Sequence, residues 1–191
     1  MKIEFVDLKL RYADEKKEID KCINNVLKKG NLVLTEELNN FEKDVCEFTN
    51  SKYCLGLNSG TDALMMSLWA NDIGKGDEVI TSSKSFIASV GAIIHVGARP
   101  KLIDVGDDLN INFNLIENSI NKKTKAIMPV HWTGRVCKMD EIVRIAKKYN
   151  LKIIEDSAQA MGSYFNGKHA GTFGDAAGFS CHPLKNLNAI G

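Results

Sequence analysis

"TKAIMPVHWTGRVCKMDEIVRIAKKYNLKIIED", residues 124–156, contains the pattern that decides the fold. "TKAIMPVH" reads as a short strand, "KMDEIVRIAKKYN" as a helix and "LKIIED" as a second strand. The same alternation extends in both directions. Upstream, "DEVITSS" and "PKLIDV" read as strands, "SFIASVGAIIHVG" as a helix and "NLIENSI" as a short one. Downstream, the small and apolar "DAAGFSC", residues 175–181, reads as a buried strand. "SYFNGKHAG", just before it, reads as a hairpin turned at Asn166-Gly167. Strands this short, apolar on both faces and separated by helices, require a mostly parallel sheet covered on both sides.

Nearer the start, "YCLGL" reads as a strand that passes through "NSG" into the helix "TDALMMSLWAND". Two amphipathic helices precede it. "ADEKKEIDKCINNVLKKG" carries Ile19, Cys22, Ile23 and Val26 on one stripe and stops at Gly30. "TEELNNFEKDVCEFTN" is capped by Thr35 and is expected to turn Leu38, Phe41, Val45 and Phe48 inward.

The chain has 191 residues, enough for one sizeable domain, with 44% apolar and 26% charged residues. A net charge of +1 gives no electrostatic case for nucleic acid or an acidic membrane surface. The five cysteines are odd in number and scattered, with no C-x-x-C pair, which suggests reduced, mostly core thiols. "MKIEFVDLKLRYADEKK" is charged throughout and lacks the apolar core of a signal peptide, and no apolar run approaches membrane-spanning length. The expected setting is the cytoplasm, without nucleic-acid or membrane partners.

In a parallel sheet with helical covers, ligands sit outside the carboxyl ends of the strands. Five segments fall there: Asn58–Thr61, Ser82–Phe86, Val130–His131, Asp156–Gln159 and Ser180–Lys185. Gly60 lets the backbone approach a ligand, and the N–H groups around Gly60 and Thr61 open a helix, a setting suited to phosphate. Ser59 reads equally as a plain N-cap. Asp156 could pair with a cationic ring nitrogen while the Gln159 amide donates to a nearby ring oxygen; an Asx turn at Asp156 is the other reading. Phe86 could lie flat on an aromatic ligand or be a core residue. Lys185 follows an apolar strand end, with Ser180 five residues before it. A lysine partly desolvated there attacks carbonyls as a free amine, whereas most lysines are solvated surface charges. Pyridoxal 5′-phosphate is the common cofactor that calls for all these parts together: a lysine, an acid at its ring nitrogen, a phosphate cup and a stacking partner.

"LNSGTDAL", "SFIASVGAI", "MPVHWTG", "IIEDSAQAMGS" and "GTFGDAAGFSCHPLKNL" resemble, in that order, the sugar-nucleotide aminotransferases of the DegT/DnrJ/StrS group. These are fold type I pyridoxal phosphate enzymes, and the resemblance runs from about Gly30 to the last residue. It implies a three-layer α/β/α architecture with a mostly parallel, mixed sheet. It further implies a helical segment over residues 1–30 and a pyridoxal phosphate-binding large domain over 31–191, incomplete at its C-terminal end and cut before a small C-terminal domain. Carried over by position, Lys185 would hold the cofactor as a Schiff base and later move the substrate proton. Asp156 would pair with the pyridinium nitrogen, Gln159 would contact the ring hydroxyl side, Gly60, Thr61 and Ser180 would bind the phosphate, and Phe86 would stack on the ring. The implied reaction moves an amino group from an amino acid, usually glutamate, to a keto-sugar nucleotide, in a homodimer when full length. Two departures touch the pattern: Cys181 stands where relatives often carry a larger residue, and "VLTEEL" replaces a Gly-Pro-Glu-like turn. Two other functions fit less of the chain. A deoxysugar dehydratase of the same fold would carry histidine in place of Lys185, and a truncated chain would be a catalytically inactive cofactor-binding fragment.

Overall fold

The computed structural model describes Glu4 and residues 6–189; the outermost residues of the two expected units, 1–3, 5, 190 and 191, lie outside the described residues. The chain runs through helices α1 (Leu8–Lys29), α2 (Glu36–Thr49) and α3 (Gly60–Trp69), strand β1 (Glu78–Ser82), helix α4 (Ile87–His95) and strand β2 (Arg99–Ile103). It continues with the short helix α5 (Ile116–Ser119), strand β3 (Thr124–Met128), helix α6 (Met139–Tyr149) and strand β4 (Lys152–Asp156). The small antiparallel pair β5 (Tyr164–Phe165) and β6 (Lys168–His169) precedes the last strand, β7 (Ala176–Gly178). The sheet order is β2-β1-β3-β4-β7, and every pairing in it is parallel. The antiparallel element expected of a mixed sheet is absent from it among the described residues.

Two cores follow from the period of two along each strand. Val79, Ala126, Met128 and Ile154 face one way and pack with Leu64 and Leu68 of α3 and Ala92 and Ile93 of α4. Their neighbours Ile80, Ile127 and Ile153 face the other way and pack with Ile116 of α5 and Met139, Ile142, Ile145 and Ala146 of α6. This makes three layers, helix on sheet on helix. Helix α6 shows why the local sequence suffices: its apolar stripe recurs once per turn, Asp140 and Glu141 sit in its first turn, Lys147 and Lys148 in its last, and Asn150 closes it in the left-handed region. Asn166 (φ 50°) and Gly167 (φ 76°) both take the positive φ that a tight two-residue hairpin turn needs.

Strand β3 stops short of its expected end because Pro129 has no N–H to continue the ladder. A single bridge, Val130 to Asp156, extends the pairing beyond it. "YCLGL" is not a strand. Tyr53 and Leu55 are 77% exposed, and the Gly56 N–H donates to Glu42 Oε1 at 2.7 Å, so this backbone finds a side chain where a strand would find a neighbour. Helix α1 begins at Leu8, capped by Asp7, well before Ala13, and none of its residues is buried. Its stripe is half-buried at Ile19 and Val26 and exposed at Cys22 and Ile23. In α2, Thr35 is the cap as expected, but Phe41 and Phe48 are exposed, and Leu38 and Val45 are half-buried. An apolar stripe says which face would be buried; it does not supply the surface that buries it. Of the cysteines, Cys137 alone is buried, so the expectation of mostly core thiols is corrected. Helix α1 reaches the far end of the chain through Arg11, whose guanidinium donates to the Asn188 carbonyl oxygen.

Glu155, fully buried on β4, ties the strand ends together. Its Oε1 accepts from the N–H groups of Phe173 and Gly174, both at 2.7 Å, and its Oε2 from Gly171 N–H at 2.8 Å. His131 completes the set at 2.9 Å through Nε2, because its Nδ1 accepts from the Cys137 N–H. We expect Glu155→Gln to turn an amide NH2 toward backbone donors and to cost about 3 kcal/mol, the scale of a broken buried polar cluster. Urea unfolding should show a lower midpoint with an unchanged slope; an unmoved midpoint would mean that the loop 171–174 is held by packing alone.

Candidate functional site at the strand ends

Because all five strands run the same way, the segments after β1, β3, β4 and β7 emerge on one edge of the sheet. Asp156, the last residue of β4, is 5% exposed. Its N–H donates to Pro129 O at 2.9 Å, and its carbonyl accepts from His131 N–H at 3.1 Å. Side-chain Oδ1 accepts from Ala158 N–H at 3.2 Å, which is the Asx turn the sequence also allowed. Oδ2 accepts from the Ser89 hydroxyl of α4 at 2.5 Å. Burial pushes the Asp156 carboxyl up from its usual value; the Ser89 hydroxyl, the Ala158 N–H and, at longer range, His131 and Lys185 act against that.

The start of α3 meets the loop after β7. A Cβ on Gly60 would lie 3.0 Å from Ser180 Cβ and 3.2 Å from Phe179 O, so any side chain here would press the two segments apart by a few tenths of an ångström. Ser59 is indeed the N-cap, its Oγ accepting from Asp62 N–H at 3.1 Å. The N–H groups of Gly60 and Thr61 remain outside the helical ladder and have no acceptor among the described residues. These donors and the Ser180 hydroxyl beside Gly60 form a small cradle at the positive end of the helix.

Gln159, half-buried, accepts from Thr133 N–H through Oε1 at 2.8 Å, which leaves its NH2 as the group offered to a ligand. Phe86 immediately precedes α4 and is 64% exposed, so it is not a core residue. Lys185 is half-buried beyond β7; its N–H donates to His182 O at 2.8 Å, and its ammonium has no ion-pair partner among the described residues. The structure thus brings Gly60 to Ser180, sets Lys185 in the segment beyond the strand next to that of Asp156, and places Phe86 at the end of the helix that carries Ser89. Sequence reasoning missed Ser89 and its neighbour Ser85, whose Oγ lies 2.5 Å from Ser89 Oγ. Two serines one helical turn apart at the start of a helix facing the strand ends were the available signal.

A sequence model of the DegT/DnrJ/EryC1/StrS aminotransferase family matches residues 13–191. The dTDP-3-amino-3,6-dideoxy-alpha-D-galactopyranose transaminase of Aneurinibacillus thermoaerophilus is 47% identical over 179 residues, covering 93% of this chain and 49% of that protein. DesV of S. venezuelae, solved in complex with a ketimine intermediate, superposes with a TM-score of 0.94 at 36% identity, over 99% of this chain and 51% of that one. NtdA of Bacillus subtilis, solved with bound cofactor PMP, gives 0.79 at 36% identity, over 83% of this chain and 37% of that one. The chain spans about half the length of the curated relatives it matches.

The buried carboxyl has a measurable signature in the ligand-free chain. An acid whose pKa is raised by folding keeps its proton longer in the folded state than in the unfolded one. Its contribution is therefore full below the ordinary value of 3.8 and is lost as pH rises through the folded value. Asp156→Asn should match the wild type near that lower bound and become the more stable of the two as pH approaches about 7. Urea unfolding across that range checks it, and parallel curves for the two proteins would contradict the raised pKa.

Proposed function

The chain belongs to the DegT/DnrJ/EryC1/StrS aminotransferase family, and on that premise we propose that it forms the cofactor-binding part of a pyridoxal phosphate-dependent enzyme. The enzyme moves an amino group from an amino acid, glutamate first, to a keto-sugar nucleotide. One observation carries this reading: a buried carboxylate at the end of β4 and a half-buried lysine beyond the neighbouring parallel strand β7 stand at the same edge of the sheet. The residues present fit the cofactor. The Gly60–Ser180 approach is a cradle that a Cβ would fill, and Asp156 keeps acceptor capacity beyond its two donors.

Bound pyridoxal 5′-phosphate supplies a carbonyl carbon that condenses with amines and a ring that draws electron density from the carbon losing a proton. The N–H groups of Gly60 and Thr61, with the Thr61 and Ser180 hydroxyls, hold the phosphate. Phe86 covers one face of the ring and keeps water from it. Asp156 accepts from the ring N–H and holds its proton in place. The Gln159 NH2 donates toward the ring hydroxyl. Lys185 Nζ is the amine that would hold the cofactor and the base that would move a proton at the substrate carbon.

The assembly is part of the same reading. Residues 1–30 serve as a helical segment and 31–191 as the large domain. A second copy covers apolar side chains such as Leu10, Leu27 and Phe48, each more than half exposed. Five unpaired cysteines suit a reducing, cytoplasmic setting. Among the described residues no helix is long and apolar enough to cross a membrane.

Borohydride reduction of the cofactor-loaded protein followed by peptide mapping should place the pyridoxyl group on Lys185. A label on Lys84 or Lys168 would sink the assignment. In single-turnover measurement of the glutamate half-reaction, Asp156→Asn should retain cofactor and lose most of the rate, by about a hundredfold or more, since an amide cannot hold the ring nitrogen protonated. A near-normal rate would leave Asp156 as a turn-former only.

A further inference from the structure

Ser89 is fully buried in the first turn of α4, and its hydroxyl has an unusual destination. Serines inside helices commonly return the hydroxyl to the carbonyl one turn back, as Ser67 of α3 does to Ala63 O at 2.7 Å. Ser89 instead donates across the helix–sheet interface to Asp156 Oδ2 at 2.5 Å, the length of a hydroxyl bonded to a charged carboxylate. Behind it stands Ser85, half-buried, with its Oγ 2.5 Å from Ser89 Oγ. A serine hydroxyl donates and accepts at once, so Ser85 O–H can donate to Ser89 while Ser89 O–H donates to Asp156.

We propose that Ser85 and Ser89 are positioning residues, a two-hydroxyl relay that keeps Asp156 ionised and fixes the plane of its carboxylate. The inference deepens the aminotransferase reading and rests on it for its purpose, because Asp156 can hold a proton on a ring nitrogen only while it is itself charged. Without donors, a carboxyl this buried would take up a proton and become a neutral acid. The groups facing it divide by element. From its own turn comes the Ala158 N–H, and from α4 the Ser89 hydroxyl. From the segment after β3 comes His131, whose ring nitrogens are turned to Glu155 and Cys137, and from beyond β7 comes Lys185. The adjacent carboxylate, Glu155, is directed to the other side of the strand by its own four donors. Ser89 is thus the one side chain that hydrogen-bonds Asp156 directly among the described residues.

Titration of the Asp156 carboxyl carbon by carbon-13 NMR in the ligand-free chain, assigned by its disappearance in Asp156→Asn, tests the relay without any cofactor. Ser89→Ala should raise the proton affinity of Asp156 by about tenfold or more, and Ser89→Thr should restore it. Ser85→Ala, at a half-buried position, should shift it in the same direction by less, which keeps the test open even where Ser89→Ala does not fold. A merely structural serine would lower stability and leave the titration in place. An unmoved midpoint in folded Ser89→Ala, or in Ser85→Ala, overturns the proposal. A second reading of the same variants, with nitrogen-15-labelled pyridoxal phosphate, should show the ring nitrogen losing its proton at lower pH in Ser89→Ala than in the wild type. Failure of the wild-type chain to take up that cofactor would count against the aminotransferase reading, while the carboxyl titration alone decides the relay.

Discussion

Strand β4 ends in two adjacent carboxylates, and the arrangement of everything near the sheet edge depends on how each is held. Successive side chains of a strand face opposite ways, so Glu155 enters the layer of α6 and Asp156 the layer of α4. Glu155 gathers the loop 171–174 and His131, which sets the approach to β7 from one side. Asp156 uses its backbone to continue the pairing past Pro129 and its side chain to reach α4. Neither residue alone would bring the ends of β3, β4 and β7 into one constellation.

The two carboxylates differ in how fully their acceptor sites are occupied. A carboxylate offers about four lone-pair sites. Glu155 has a donor for each, three from backbone and one from a ring, and is inert by satisfaction. Asp156, as deeply buried, has a hydroxyl and one N–H. That leaves acceptor capacity at the strand end, and the neighbouring parallel strand β7 leads to Lys185 at the same sheet edge. A buried carboxyl held short of full satisfaction is costly for stability and useful for binding a cation, which is the compromise expected where chemistry is done.

What could be read in the sequence was what local chemistry decides. The strands at Val79–Ile80, Ala126–Met128 and Ile153–Ile154 were legible because a run apolar on both faces has no other stable use in an α/β chain. Asn166-Gly167 was legible because few dipeptides tolerate positive φ twice. The Asx turn at Asp156 and the N-cap at Ser59 were legible because both are made by hydrogen bonds two or three residues apart. "YCLGL" failed for the opposite reason: being a strand depends on a partner, and the described chain brings none to Tyr53–Leu57. Phe41 and Phe48 failed likewise, since amphipathicity marks a face without saying what covers it. The pairing of Ser89 with Asp156 was not legible, because the hydrogen bond spans 67 positions of sequence and two serines one turn apart mark a helix face without naming what it meets.

The bond from Arg11 to the Asn188 carbonyl joins residues 177 positions apart and reaches the chain only three residues past Lys185. Closing so long a loop has an entropic cost that local contacts cannot offset until the sheet between them exists. The parallel pairings of β1, β3 and β4 are themselves non-local and form slowly. In time order, then, the segment bearing the lysine is among the last to be fixed. During refolding, the contact between α1 and the segment after β7 would form only once the sheet is in place.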